Sequence, residues 1–287
     1  MANILVTGAN GQLGMELRKQ GFTALDEVFY TDAEELDITD KTAVECFVKE
    51  HEIDTIINCA AYTAVDRAEE EPELAARINT EAVTHLADVA EKYDCLLIHI
   101  STDYVFDGTG EEPYTEKSKT SPESVYGKTK LAGERAVRKS GCCYIIIRTA
   151  WLYSAHGHNF VKTILRLADE RPEISVVSDQ IGTPTYAGDL AQAIVSIMDN
   201  DNRADYEGIY HFSNEGVCSW FDFAEEIVRL GKKSCKVVPV TTAEYPSPTK
   251  RPAYSVLDKT KIKRTFDLEI PDWKEALGRM MKEMLES

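Results

Sequence analysis

The chain has 287 residues, 43% hydrophobic and 28% charged, and its 32 basic and 49 acidic side chains give a formal net charge of −17. Those values describe a soluble globular protein of one or two domains, long enough to bury a core without covalent staples. The acidic excess argues against partners such as nucleic acid or an anionic membrane, whereas a helix N-terminus and a few donors still suffice for a small anion.

In chain order, the apolar run Ile4, Leu5, Val6 predicts a strand that leads into Thr7-Gly8-Ala9-Asn10-Gly11-Gln12-Leu13-Gly14, with a helix from Met15. Three glycines in a strand–turn–helix setting permit a tight turn and close approach of backbone to a pyrophosphate, with helix N–H groups aimed at the phosphates. Gly8, Asn10, Gly11, Gln12, Leu13 and Gly14 are therefore candidate dinucleotide contacts. The competing reading is an ordinary tight βα turn. A second strand, Val28 to Tyr30, ends near Asp32, a carboxylate placed to accept the adenosine ribose hydroxyls. An acid there, with no Arg or Lys beside it, disfavours a 2′-phosphate and leans towards NADH over NADPH. A solvated loop carboxylate is the alternative.

Further strands are predicted over 55–57, 96–100 and 144–147, separated by helical patterns. The clearest helix spans 73–93, where Leu74, Ile78, Ala82, Leu86, Ala90 and Tyr93 recur at three- and four-residue steps. Continuous apolar strands alternating with helices imply an α/β fold, a doubly wound parallel Rossmann sheet covered on both faces. The fourth strand ends in Ser101-Thr102-Asp103-Tyr104, and Tyr126-Gly127-Lys128-Thr129-Lys130 follows on a helix. Tyr126 and Lys130, four apart, share one helix face. A lysine ammonium one turn away would draw the phenol, ordinarily near 10, towards the working range of a proton donor.

After Arg148 the pattern predicts helices over 159–170, 188–198 and 220–230. Strands are predicted over 174–177, 209–212 and 236–240, the middle one completing the large sheet. A Pro-rich stretch over 245–252 precedes a terminal helix with Trp273, Leu277, Met281 and Met284 on one face, read as core packing. The dinucleotide-binding Rossmann domain is expected over 1–150 plus about 186–214. A smaller interleaved substrate-binding lobe, over about 151–185 plus 215–287, is expected to cover the sheet's carboxyl edge. Seven cysteines with no Cys-x-x-Cys read as buried free thiols, and the histidines show no metal-ligand spacing. With no secretory leader after Met1 and no apolar run long enough to span a bilayer, a cytoplasmic location is expected.

These motifs together resemble the extended short-chain dehydrogenase/reductases, through residues 7–14, Asn58-Cys59-Ala60-Ala61, Ser101-Thr102-Asp103 and Tyr126-x-x-x-Lys130. Within them the chain is similar to the dTDP-4-dehydrorhamnose reductase family. That narrower resemblance rests on the blocks at 60–69, 101–108, 148–153 and 179–185 and on Arg251-Pro252-x-Tyr254-Ser255. It implies a catalytic set of Thr102, Tyr126 and Lys130, with cofactor contacts extending to Asp37, Ile38, Ala60, Ala61, Thr63 and Ser101. It places Asp103, Tyr104 and Trp151 towards the sugar, with Asn159, Gln180 and Arg251 as further pocket candidates. Arg251 suits a diphosphate because of its guanidinium fork. A surface arginine and, for Trp151, inter-lobe packing are the alternatives. Some relatives bind Mg²⁺ through acids at a dimer contact. Glu16 and Asp189 lie in plausible regions, but no full ligand set matches and no metal is assigned.

Nucleotide-sugar dehydratases of the superfamily follow the threonine with Asp-Glu, whereas here Tyr104 follows Asp103. Without that glutamate, dehydration lacks its general base, and a simple ketone reduction is favoured. The implied reaction is NADPH- or NADH-dependent reduction of the C4 ketone of dTDP-4-dehydro-β-L-rhamnose, the last step of dTDP-L-rhamnose synthesis, with a dTDP-sugar as the small-molecule partner and a homodimer as a candidate assembly. The competing readings are an epimerase or another 4-ketoreductase of the same superfamily, and a non-catalytic dinucleotide-binding subunit.

Overall fold

Alternate side chains of the apolar runs leave a strand on opposite faces, and in this chain both faces are packed. The computed structural model describes residues 2–200 and 203–286. The first half runs β1 (Asn3–Thr7), α1 (Gln12–Gln20), β2 (Glu27–Thr31), α2 (Lys41–Glu50), β3 (Thr55–Asn58) and α3 (Val65–Glu70). It continues through α4 (Pro72–Ala76), α5 (Ala82–Lys92), β4 (Leu96–Thr102), α6 (Val125–Ser140) and β5 (Tyr144–Thr149). Next come β6 (Leu152–Tyr153), α7 (Phe160–Glu170), β7 (Glu173–Val177), β8 (Ile181–Gly182), β9 (Thr185–Tyr186) and α8 (Ala187–Met198). The chain closes with β10 (Gly208–His211), β11 (Cys218–Ser219), α9 (Trp220–Leu230), β12 (Lys236–Val240), α10 (Thr260–Phe266) and α11 (Trp273–Glu286).

Six strands form one wholly parallel sheet in the order β10-β5-β4-β3-β1-β2. Ile4 and Val6 of β1, Ile57, Ile98, Ile145 and Ile147 meet Leu13 and Leu17 of α1 and Leu190 and Ile194 of α8. The intervening Leu5, Ile56, Leu97 and Ile146 meet Val44 and Val48 of α2, Leu86 of α5 and Val137 of α6 on the other face. Each such aliphatic side chain contributes about 1.5–3 kcal/mol on burial. From β1 the chain moves outward to β2, then returns to the other side of β1 as β3. That reversal leaves a crevice at the carboxyl ends of the two strands, the expected ligand position in an open parallel sheet.

A second packed cluster joins α7, α9 and α11 to the parallel pair β7–β12, with Val161, Ile164, Phe223, Ile227 and Leu277 at its centre. Trp273 and Met281 are buried in it and Met284 packs against it, as the terminal-helix stripe predicts.

The helix expected over 73–93 is interrupted. Between α4 and α5 the backbone makes a π turn, Arg77–Glu81, which widens the helix at buried Asn79. The carboxamide there accepts the Tyr62 N–H at 2.9 Å and donates to the Tyr62 carbonyl and to Thr129 Oγ1. A Cβ at Gly133 would stand 2.3 Å from the Asn79 carbonyl, so α6 lies directly on this turn. Apolar periodicity does not register a polar residue inserted at one helix–helix contact. Two short helices, α3 and α10, also fall below what periodicity predicts. Cys95, Cys142, Cys218 and Cys235 are buried, whereas Cys46 is exposed and Cys59 and Cys143 are half-buried, so the expectation of seven buried thiols holds for four.

Candidate active site

The glycine turn after β1 is shaped by what lies against it. Gly8 has φ +66°, and a Cβ there would stand 2.6 Å from the Ala60 nitrogen; at Gly14 it would stand 2.5 Å from Ala9 Cα. Gly11 begins α1 without a side-chain cap, which leaves the first helical N–H groups available to an anion. Above the turn opens a cavity of about 950 Å³, lined by Gly8, Gly11, Gln12 and Leu13 and farther out by Asp32, Asp37 and Ile38. Ala60, Ala61 and Thr63 form part of the wall. A turn whose glycines let backbone pack this closely, beside uncapped helix N–H groups, fits a dinucleotide. Asp32 reaches the cavity but also holds the turn: its carboxylate accepts the N–H groups of Asn10 at 3.0 Å and Ala33 at 2.8 Å. Asn10 and Gly14 shape the turn without lining the cavity.

Beyond this end, the same cavity is lined by Ser101, Thr102, Asp103, Tyr104, Tyr126, Lys130 and Trp151. Parallel pairing brings the end of β4 next to β5, and α6 is laid against the turn that follows β4. Ser124 caps α6 by accepting the Gly127 N–H at 3.1 Å, and a Cβ at Gly127 would stand 2.2 Å from the Tyr104 carbonyl. A glycine between Tyr126 and Lys128 is thus what lets the helix carry Tyr126 up to Thr102. The Tyr104 and Tyr126 rings meet edge to face at 5.4 Å.

Burial pushes the Tyr126 phenol well above its ordinary value, with Thr102 acting to lower it. Lys130 is 1% exposed and donates to the Ile100 carbonyl at 2.6 Å. Burial brings its ammonium down to about 8, against the pull of Glu134. The expectation that Lys130 draws the phenol down is therefore corrected: its ammonium is committed to a backbone carbonyl, and desolvation governs Tyr126. A phenol kept neutral is the form a proton donor needs.

At the mouth, Arg251 donates to Asp66 at 2.6 Å and to the Tyr104 hydroxyl at 3.2 Å, outside the lining but one side chain from it. Trp151 both lines the cavity and stacks on Trp220, with centroids 3.6 Å apart at 11°. Two candidates lie outside the lining. Asn159 caps α7 through the Lys162 N–H and donates to Gln12 and to the Ser154 carbonyl. Gln180 is buried and donates to Thr242.

The family model described as RmlD substrate binding domain matches residues 1–286. A dTDP-4-dehydrorhamnose reductase of Aggregatibacter actinomycetemcomitans is 43% identical, covering 96% of this chain and 97% of its own. The chain belongs to the dTDP-4-dehydrorhamnose reductase family. Among solved structures, the Clostridium acetobutylicum dTDP-4-dehydrorhamnose reductase is 46% identical with a TM-score of 0.93, covering 99% of this chain and 100% of that one. The Bacillus anthracis dTDP-4-dehydrorhamnose reductase, in complex with NADP, is 41% identical with a TM-score of 0.94 over 98% and 99% of the two chains.

Several groups of this family member escape sequence reasoning. Glu134 accepts from Ser101 at 2.6 Å and from Arg148 at 2.8 and 2.6 Å, all of them buried. Asn58 accepts from Thr7 and from the Ala60 N–H and donates to His99 Nδ1, tying β1, β3 and β4 together beneath the cavity. Arg77, in the π turn, lines the outer cavity near Asp37. A charged residue inside an apolar-flanked strand, as Arg148 is, was the available signal for the first of these.

Of the acids considered for Mg²⁺, Glu16 is buried with both carboxyl oxygens unpartnered, and burial raises it to about 7. Its ligand atom lies within 4.8 Å of those of His156 and Glu283, while the Lys19 ammonium stands 2.5 Å from Glu283 and 4.0 Å from Glu16. Asp189 accepts both contacts of Arg279, at 2.7 and 2.8 Å. An imidazole and an internal ammonium make this unlike the all-oxygen shell Mg²⁺ takes.

Proposed function

We propose that this oxidoreductase reduces the C4 ketone of dTDP-4-dehydro-β-L-rhamnose to dTDP-L-rhamnose, with NADPH or NADH as hydride source. The observation that carries the reading is the convergence of Thr102, Tyr126 and Lys130 on the cavity that begins at the glycine turn, in a chain of this family. The bound dinucleotide supplies the hydride; the chain supplies position and a proton. Tyr126 donates the proton to the oxygen as it becomes an alkoxide, and Thr102 donates a hydrogen bond to the same oxygen. Lys130 binds a ribose hydroxyl near Tyr126. Trp151 and Tyr104 bound the sugar, and Arg251 exchanges Asp66 for the diphosphate.

The same reading assigns residues 1–150 and about 186–214 to the dinucleotide and the remainder to the sugar nucleotide. Supporting this, α8 packs beside α1, and β10 adds to β5 as the sixth strand. It requires no nucleic acid or membrane partner and places the reaction in the cytoplasm. Among the described residues no helix is long and apolar enough to cross a membrane.

The test is oxidation of NADH and NADPH in parallel with dTDP-4-dehydro-L-rhamnose, with the product identified by NMR. Formation of dTDP-L-rhamnose is expected. Turnover of another 4-keto sugar nucleotide alone, an epimerised product, or cofactor binding without turnover would each replace the reading with one of its rivals.

A further inference from the structure

The Thr102 hydroxyl carries one hydrogen, and in the structure that hydrogen is committed. Oγ1 donates to Asp103 Oδ1 at 3.0 Å and accepts the Tyr104 N–H at 3.2 Å, with the Tyr126 hydroxyl also within its reach. A bond from Thr102 to a substrate oxygen would need the same hydrogen, so the carboxylate and the substrate compete for it. Asp103 is 4% exposed and lines the cavity. Its second oxygen, Oδ2, is buried with no hydrogen-bond partner, an unfavourable state for an ionised carboxylate.

Resting on the ketone-reduction reading, we propose that Asp103 sets the direction of the Thr102 hydroxyl. The protonated acid donates to Thr102 Oγ1 and turns the threonine hydrogen towards the substrate oxygen. The carboxylate draws that hydrogen away. Thr102 Oγ1 can accept from both Asp103 and the Tyr104 N–H, because a hydroxyl oxygen offers two lone pairs. No proton leaves Asp103, which is a positioning residue acting through Thr102; Tyr126 remains the proton donor.

The groups around the carboxyl leave its protonation to burial. Thr102 faces it from β4, Tyr104 from the following turn, Tyr126 from α6 and Ser255 from the C-terminal segment, all neutral near pH 7. Lys130 of α6 directs its ammonium at the Ile100 carbonyl, and Arg251 is paired with Asp66 beyond Tyr104. Burial lifts the carboxyl to about 7, against the hydrogen bond from Thr102. The hydroxyl therefore changes direction within the working pH range, separately from Lys130 at about 8.

The experiment measures kcat from about pH 5.5 to about 9 for the wild type, Asp103→Asn, Thr102→Val and the double variant. An asparagine can donate to Thr102 at every pH. The wild type should lose about tenfold in kcat through a limb near 7, and Asp103→Asn should lack that limb while keeping the one from Lys130. In the Thr102→Val background, adding Asp103→Asn should change kcat by less than about twofold, because no hydroxyl remains to be oriented. A limb near 7 that persists in Asp103→Asn, or penalties that multiply in the double variant, would overturn the proposal. If no keto sugar is turned over, the reading of function fails first. The proposal is then decided by the ¹³C shift of the Asp103 carboxyl. It must titrate near 7 and move in Thr102→Val; titration in the ordinary carboxylate range rejects it.

Discussion

The end of the cavity proposed for the dinucleotide centres on one continuous turn, residues 8–14, and relies on backbone. The opposite end, proposed for the sugar, gathers Thr102, Tyr126 and Trp151, with Arg251 at its mouth, from segments far apart in the chain and relies on side chains that hold one another. A backbone site tolerates little change at its glycines, whereas a side-chain site degrades by degrees. Substitutions at the two ends should therefore separate cofactor binding from sugar binding and from chemistry.

The largest effect is expected from Tyr126→Phe, which removes the proposed proton donor at the meeting point of the two ends. Turnover should drop by about 10²–10⁴ while dinucleotide affinity, followed by fluorescence titration, stays within about threefold. Wild-type-like turnover would remove Tyr126 from the mechanism. Next comes Gly8→Ala, which combines a φ of +66° with a 2.6 Å clash on Ala60. Strain of about 1–3 kcal/mol should weaken the dinucleotide by about 5- to 150-fold, with thermal unfolding run alongside to register any loss of fold. An unchanged dissociation constant would separate the turn from cofactor binding.

At the sugar end, Arg251→Ala should raise KM for the sugar nucleotide by about tenfold or more, the scale of one charge-assisted hydrogen bond, with a smaller change in kcat. A KM equal to that of the wild type would return Arg251 to a role in holding Asp66. Trp220→Ala touches the cavity only through its stack on Trp151. Losing about 0.5–1.5 kcal/mol there should raise the same KM by a few-fold, and steady-state kinetics with the dinucleotide saturating would show it.

The smallest effect lies away from both ends. Glu16 is raised to about 7 by burial, so its neutral form is favoured in the fold. Its contribution to stability is complete below the ordinary carboxylate range and is lost as pH rises through about 7. Glu16→Gln should accordingly raise the melting temperature relative to the wild type more at pH 8 than at pH 5. An equal difference at both pH values would mean that Glu16 does not titrate there.

The parallel sheet was legible because most of its strands carry unbroken apolar runs, and the glycine turn because three glycines precede a helix. Tyr126 and Lys130 were legible as an i,i+4 pair. Their electrostatics were not, since burial and the Ile100 carbonyl act on them from another element. Asn159 and Gln180 carried a resemblance into the pocket, but the structure turns the first to cap α7 and the second to Thr242. The π turn at Asn79 and the Ser101–Glu134–Arg148 network left little local trace, because each answers to a partner distant in the chain.

The opening charge of −17 also reads differently at each level. Sequence alone determined the fold class, the dinucleotide turn and the order of the chemical residues, since each is written in local spacing and covalent neighbours. Tertiary structure decided which donors stand at the cavity, namely the uncapped N–H groups of α1 beneath it and the Arg251 guanidinium, paired with Asp66, at its mouth. It also decided the direction in which burial shifts Asp103, Tyr126 and Lys130, because desolvation depends on what packs around a group and cannot be read from its neighbours in sequence.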